Sequence, residues 1–261
     1  MYVRDLYFMY NSAMKISIVT VCFNSEKTIL DTISSIKSQE FKDYEHIIFD
    51  GGSNDSTLKI IKENMDERMR LYSEPDEGLY DAMNKAISFS EGEFVGFLNS
   101  DDTYFDNKSL GTIAENLSDD NDCVYGNLLY TDENNLNTIK RKWISSKHYK
   151  GRMFFGWMPA HPTFYCKTSL LKSVGGFDLS LPISADYDLM LRLLELNNVS
   201  SRWINKNLVL MREGGNSGGG FSSIIKQNLE CVRSRNKLRK HKLPIDLGFF
   251  LKPISKLKQF Y

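Results

Sequence analysis

Between Lys15 and Asn99, short apolar runs alternate with amphipathic stretches. Lys15 to Cys22 (KISIVTVC) is rich in β-branched residues, which suit a buried pleated surface, and predicts a core strand. Ile29, Ile33 and Ile36 then recur at helical spacing behind Asn24-Ser25, residues able to cap that helix. His46 to Phe49 predicts a second strand, and Asp50-Gly51-Gly52-Ser53-Asn54-Asp55-Ser56 a polar turn into a helix ending near Asn64. A third strand near Met69–Tyr72 precedes Glu74-Pro75-Asp76-Glu77-Gly78. A helix carrying Leu79, Met83, Ala86 and Ile87 leads to a fourth strand, Glu93 to Leu98. Four such alternations with short connections predict an α/β fold, a parallel sheet with helices on both faces. Ligands of these sheets bind beyond the carboxyl ends of the strands. The polar clusters at 20–24, 50–56, 74–78 and 99–102 all fall there.

After Asp102 the rhythm changes. Cys123–Tyr130, Thr138–Trp143 and Thr163–Cys166 predict short strands of a mixed or antiparallel region. A helix from about Ser184 to Glu195 and a strand over Ser201–Met211 follow. Glu213 to Gly220 (EGGNSGGG) predicts a mobile loop able to close over a ligand. No internal repeat is present.

Composition narrows the class. The 261 residues are 41% hydrophobic and 25% charged, as in ordinary soluble globular proteins. The formal charge is zero but uneven: from Lys226 to Tyr261 there are ten Lys or Arg against Glu230 and Asp246. A basic tail mixed with Ile224, Ile225, Leu229, Val232, Leu247, Phe249, Phe250 and Leu251 suits the anionic inner face of a membrane. A solvated basic helix or a nucleic-acid contact would use the same residues; the membrane is the preferred partner. The four cysteines lie far apart without zinc spacing and read as thiols of a reducing compartment. No run approaches the roughly 18 apolar residues of a membrane span. Residues 1–13 lack a signal-peptide core and read as an extension ahead of the first strand, so a cytoplasmic location is expected.

Two stretches carry candidate chemistry. Asn99-Ser100-Asp101-Asp102 sets adjacent carboxylates at the mouth of a core strand, where unpaired charge is disfavoured. A divalent cation shared with a phosphate would give the pair a use, because Mg²⁺ and Mn²⁺ take hard oxygen ligands. The pair equally suits a turn, or the N-cap of a helix starting near Asp106. In Ile183–Leu193, Ser184 can cap a helix whose first turns hold Asp186 and Asp188. Asp188 has Arg192 four residues on as an ion-pair partner. Asp186 has only Leu189 and Met190 at those spacings and lies about 200° around the helix, on another face. That favours a general base over plain compensation of the helix dipole. Elsewhere, His161 can be a structural hydrogen-bonder, Trp157 can stack on a sugar ring or fill the core, and Lys85 can meet a phosphate or stay solvated.

Taken together, Val19–Asn24, Phe49–Thr57, Glu74–Lys85, Gly96–Asp102 and Asp186–Leu193 resemble, in order, glycosyltransferase family 2. These are inverting sugar-nucleotide transferases, and the nearest likeness is to bacterial enzymes that build O-antigen, capsule or exopolysaccharide. The resemblance implies a GT-A fold over 14–220. A Rossmann-like nucleotide-binding half (14–102) with a mostly parallel sheet would be fused to a mixed-sheet acceptor half (103–220), followed by a helical basic segment (221–261). It implies Asp102 as ligand of Mn²⁺ or Mg²⁺, with Asp101 nearer the ribose. The nucleotide pocket would hold Thr20, Phe23, Asn24, Asp50, Ser53, Asp76, Asn84, Lys85 and Ser100. Asp186 matches the catalytic base, and Trp157, His161, Gly215 and Ser217 fall on the acceptor and diphosphate side. The implied reaction moves a hexose from a UDP-sugar, UDP-glucose first, to an undecaprenyl-diphosphate-linked sugar with a β-linkage. No nucleic acid takes part.

Two departures stand out. Gly51 replaces a second acid that contacts the base in many relatives, leaving uracil recognition to Asp50 or Asp76. Ala185 replaces a Glu that often precedes the catalytic Asp. The alternatives are an inactive sugar-nucleotide-binding subunit, against which both acids argue, and a nucleotidyltransferase, whose basic Gly-rich opening loop is missing.

Overall fold

The computed structural model describes residues 16–118, 120–196, 199–214, 221–239 and 246–251. The expected extension at 1–13 lies outside them. Strand and helix alternate through β1 (Ile16–Cys22), α1 (Ile29–Lys37), β2 (Tyr44–Asp50), α2 (Thr57–Glu63), β3 (Met69–Ser73), α3 (Leu79–Phe89) and β4 (Phe94–Phe97). Every residue of β1 and β2 is buried, which accounts for the β-branched run of β1 and the apolar Ile47–Phe49 of β2. Val19, Val21, Ile47 and Phe49 pack with Tyr80, Met83, Ala86 and Ile87 of α3. Cys22 and Ile48 meet Ile29, Ile33 and Ile61 of α1 and α2 on the opposite face.

The helix caps differ from expectation. Asn24 and Ser25 do not cap α1, which starts behind Thr28 without a side-chain cap. A lost cap is worth about 1 kcal/mol, whereas each buried Ile contributes about 1.5–3. Ile29, Ile33 and Ile36 are all fully buried, so packing decides where α1 forms.

The chain continues through β5 (Thr103–Tyr104), α4 (Ser109–Asn116), β6 (Cys123–Thr131), β7 (Ile139–Trp143), β8 (Tyr165–Lys167), α5 (Thr168–Ser173), α6 (Ala185–Leu191), β9 (Ser201–Arg212) and α7 (Phe221–Arg239). The nine strands form one sheet in the order β3-β2-β1-β4-β8-β6-β9-β5, with β7 beside β6. The pairings β1–β2, β2–β3 and β1–β4 are parallel. β8 runs antiparallel to β4 and β6 and so joins the two halves. Gly96 permits that join, because a Cβ there would enter the Tyr165 ring. Strand order reverses between β1 and β4, and beyond such a switch point an open α/β sheet binds ligands.

Two later elements depart from their predicted form. The expected helix to Glu195 is α6 followed by a π turn over Arg192–Leu196. Arg192 there bonds Asp188, Val174 O and Gly176 O, while Glu195 accepts the Gly151 and Met153 N–H groups. Residues 221–239 are also less free than a surface-lying tail, and residues 240–245 and 252–261 of the expected basic segment lie outside the described residues. Cys231, Val232, Ser234 and Arg235 of α7 are buried, and Arg235 pairs with Asp246 ahead of a short helix at 247–251.

Candidate active site

The loops after β1 and β2 are stitched into one wall. The Asn24 N–H donates to Ser53 Oγ at 2.8 Å, and the Asn54 N–H to Asn24 Oδ1 at 2.9 Å. Asn24 holds φ 49°, a left-handed conformation that Asn tolerates better than most residues. Asp50 is fully buried and accepts from the Gly52 and Ser53 N–H groups, Ser53 Oγ and Ser73 Oγ. Thr20 is likewise buried, donating to Leu98 O at 2.8 Å beside a 2.9 Å contact with His46 Nε2. These bonds commit Thr20, Asp50 and Ser53 to building the wall rather than to facing what it encloses.

The wall borders a cavity of about 1620 Å³. That exceeds the roughly 300–1,000 Å³ of a single small-ligand pocket and leaves room for two substrates. Phe23, Asn24, Asp76, Ser100, Asp101, Trp157, His161 and Asp186 all line it. Asn84 and Lys85 do not. Asn84 exchanges hydrogen bonds with both backbone groups of Phe177, fastening α3 to the 175–177 turn. Lys85 pairs with Asp81 and Glu74 and donates to Pro75 O. Gly215 and Ser217 lie outside the described residues.

At the end of β4, Asp101 reaches the cavity and Asp102 lies directly behind it, fully buried. Both Asp102 oxygens are buried without a hydrogen-bond partner. Burial, and then the Asp101 carboxylate, hold the Asp102 carboxyl well above the usual range; burial raises Asp101 as well. An orphaned carboxylate beside a second one fits a divalent cation. Among the described residues no three His, Cys, Asp or Glu converge, so further ligands would be substrate phosphate and water. Arg212 stands beside the pair, partly offsetting its charge, and is itself bonded to Asp31.

α6 carries Asp186, which lines the same cavity. Its Oδ1 accepts the Tyr187 N–H at 2.7 Å and the Tyr80 hydroxyl at 3.4 Å. Asp188 is consumed by Arg192 at 2.7 Å. Ser184 makes no side-chain cap, contrary to expectation. Burial lowers the His161 pKa against the opposing pull of Asp186, so the imidazole stays neutral near that carboxylate. The acidic clusters are close enough that one group senses both. Burial lifts the Tyr130 hydroxyl to about 12, Arg141 opposes this, and the Asp102 and Asp186 carboxylates add to the rise.

A glycosyl transferase family 2 sequence profile matches residues 17–174. The chain belongs to that family. This glycosyltransferase is 30% identical over 189 residues to the UDP-Glc:alpha-D-GlcNAc-diphosphoundecaprenol beta-1,3-glucosyltransferase WfgD of Escherichia coli, covering 71% of this chain and 72% of the relative. It is 26% identical over 219 residues to a PGL/p-HBAD biosynthesis glycosyltransferase of Mycobacterium bovis, covering 82% and 81%. Among solved structures it superposes on S. aureus TarS in complex with UDP-GlcNAc (TM-score 0.61, 20% identity, 83% of this chain and 66% of that one). The mannosyltransferase PcManGT of Pyrobaculum calidifontis, in complex with GDP-Man and Mn²⁺, gives TM-score 0.63 at 15% identity, over 93% and 70%. At such identities the structures establish the GT-A fold alone.

Several groups on the cavity carry no local mark in the sequence. Tyr130, Arg141, Arg152 and Arg212 line it, as do Trp143 and Trp203 beside the expected Trp157. Arg152 lies 4.4 Å over the Trp157 ring and Arg141 lies 3.4 Å over that of Tyr130. One signal was available. Residues 134–177 contain eight Lys or Arg and no Asp or Glu.

Proposed function

We propose that this glycosyltransferase moves a hexose from a UDP-sugar, UDP-glucose by preference, to a lipid-diphosphate-linked sugar, inverting the anomeric centre to a β-linkage. The observation that carries the reading is that Asp101 and Asp186 line one and the same cavity. Asp186 takes the proton of the acceptor hydroxyl as that oxygen bonds to the anomeric carbon from the face opposite the leaving group. The bond from that carbon to the diphosphate oxygen breaks, and the nucleoside diphosphate leaves with the electron pair. Asp101 and Asp102 would hold Mn²⁺ or Mg²⁺, which when bound neutralises charge on the diphosphate. Phe23, Asn24, Asp76 and Ser100 surround the nucleoside, and Arg212 adds a fixed cation at the diphosphate end. Trp157 and His161 form the acceptor side, with Trp143 and Trp203 as further stacking surfaces.

The WfgD likeness supports a lipid-linked acceptor and a role in bacterial surface polysaccharide such as O-antigen. No helix among the described residues is long and apolar enough to cross a membrane. The acceptor end of the cavity nevertheless has the character of a membrane-facing rim. Ile144 and Phe155 line the cavity while largely exposed, next to exposed Lys147, Tyr149 and Lys150. Leu251 lines it too, beside exposed Leu247 and Phe250. Apolar anchors among cations suit anionic lipid, where each nearby Lys or Arg is worth about 1 kcal/mol. We place the enzyme at the inner face of the cytoplasmic membrane, with this rim toward the lipid. The deciding experiment supplies sugar nucleotides one at a time with a synthetic lipid-diphosphate GlcNAc acceptor and Mn²⁺ or Mg²⁺. Acceptor-dependent UDP release with a β-linked product is expected; no product with any UDP-hexose overturns the reading.

A further inference from the structure

At the start of α6 two backbone N–H groups converge on one buried carboxylate. Ile183 and Ser184 donate to Glu230 Oε2 at 3.1 and 2.9 Å, and Glu230 is 2% exposed. A helix start leaves donors of this kind unpaired, and here they are met by another helix rather than by the local Ser184. The Ser184 hydroxyl donates instead to Gln227 O at 3.1 Å. Further along α7, Arg235 donates to the Tyr187 hydroxyl at 3.1 Å, and Tyr187 in turn donates to Met153 O at 2.6 Å. Two Asp246 contacts of 2.6 Å hold Arg235 in place. Gln227, Glu230 and Arg235 thus grip residues 183–187, with Asp186 inside the grip.

Ile183 is held from both sides. Its N–H goes to Glu230, and its carbonyl accepts the Tyr80 hydroxyl at 3.0 Å. That same hydroxyl touches Asp186 Oδ1. Burial and the Asp186 carboxylate both raise the Tyr80 pKa, so Tyr80 remains a donor at neutral pH. A shift of the 183–184 backbone would therefore move both the base and the hydroxyl that orients it.

We propose that Glu230 is a positioning residue for the transfer reaction: it caps the base-bearing helix and fixes where Asp186 meets the acceptor. The inference rests on Asp186 being the base. It makes α7, which lies beyond the 17–174 family match, part of the catalytic apparatus.

The test compares Glu230→Ala, Glu230→Gln and Asp186→Asn in the full chain, reading kcat, UDP affinity and thermal melting. Misplacing a reacting group by about 1 Å can lower rate by about 10²-fold. Glu230→Ala is expected to lose about 10–100-fold in kcat with UDP affinity unchanged. Glu230→Gln keeps an acceptor oxygen and should recover to within about three-fold of wild type. Should the Ala variant fail to fold, Glu230→Met, similar in volume and without an acceptor oxygen, takes its place. In an Asp186→Asn background Glu230→Ala should have no further effect, because coupled residues are non-additive. Wild-type kcat in a folded Glu230→Ala overturns the proposal, as does an equal loss in both backgrounds. Wild-type turnover by Asp186→Asn overturns the base assignment and this inference with it. Loss in Asp186→Asn with full turnover in Glu230→Ala removes only the positioning role.

Discussion

The Asp76 carboxylate occupies the space that a side chain at Gly51 would need: a Cβ added at position 51 would overlap Asp76 Oδ2. Asp76 Oδ1 accepts the Gly78 N–H at 2.8 Å, which holds the carboxylate on the cavity wall. Asp50 is buried and already accepts from Gly52, Ser53 and Ser73. Of the two acids open to recognising a nucleobase N–H, Asp76 is therefore the one available. A hydrogen bond to a charged group contributes about 1.5–3 kcal/mol. Asp76→Asn should weaken UDP binding by about ten-fold or more. Gly51→Ala should mimic it by pushing Asp76 aside. Titration calorimetry with UDP checks both, and an unchanged Gly51→Ala affinity would refute the displacement.

Asp186→Asn should lose at least about 10²-fold in kcat, the lower end of what a positioned general base supplies. UDP affinity should survive, since the proposed role of Asp186 is toward the acceptor and not the nucleotide. Steady-state rates beside UDP titration separate the two effects. Turnover near the wild-type rate would sink the assignment.

If Asp102 holds the proposed cation, its burial ties cation binding to stability. Its folded-state pKa is raised, so without a cation the folded form is favoured by protonation: stability rises as pH falls through that raised pKa and is lower above it. Asp102→Asn should therefore stabilise the metal-free protein at pH 8, by about 1 kcal/mol. Mn²⁺ should raise the melting temperature of the wild type, by about 2.7 kcal/mol of stabilisation at 100 times its Kd, and leave the variant unmoved. An equal Mn²⁺ shift in both proteins would place the cation elsewhere.

His46 sets an acid limit. It is fully buried, and burial lowers its pKa to about 3. Below about pH 6.5 the unfolded chain takes up a proton that the folded state refuses, so stability falls as pH drops from 6.5 toward 3. The slope is about 1.4 kcal/mol per pH unit, or about 2 kcal/mol by pH 5. Urea unfolding at pH 7 and pH 5 should show a smaller difference for His46→Gln than for wild type. Parallel pH dependences would exclude His46 as the cause.

The apolar and basic rim predicts lipid binding. Phe155→Ser combined with Lys147→Gln and Lys150→Gln should reduce co-sedimentation with phosphatidylglycerol vesicles by about 30-fold, from roughly 1 kcal/mol per lysine. Water-soluble turnover offers the control for folding. Undiminished sedimentation would move the contact to another face.

The strand-helix alternation from β1 to β4 was legible because each strand holds a short apolar run, such as Ile47–Phe49 in β2, and a polar turn follows closely. Asp188 could be paired with Arg192 from spacing alone, as the structure bears out. β5 escaped notice because two residues carry no period, and α4 surfaced only as an alternative, a helix starting near Asp106, since Gly111 weakens its local signal.

Local sequence could also nominate acids, but not sort them. Which of Asp50 and Asp76 borders the cavity depends on hydrogen bonds formed only once β1, β2 and β3 lie side by side. Tyr80 reaches Asp186 across 106 positions, and Glu230 reaches Ser184 across 46. No short-range period encodes such pairs. Strand order and the docking of α7 bring them together, so the chain's own pattern set the elements, and packing selected which polar groups meet.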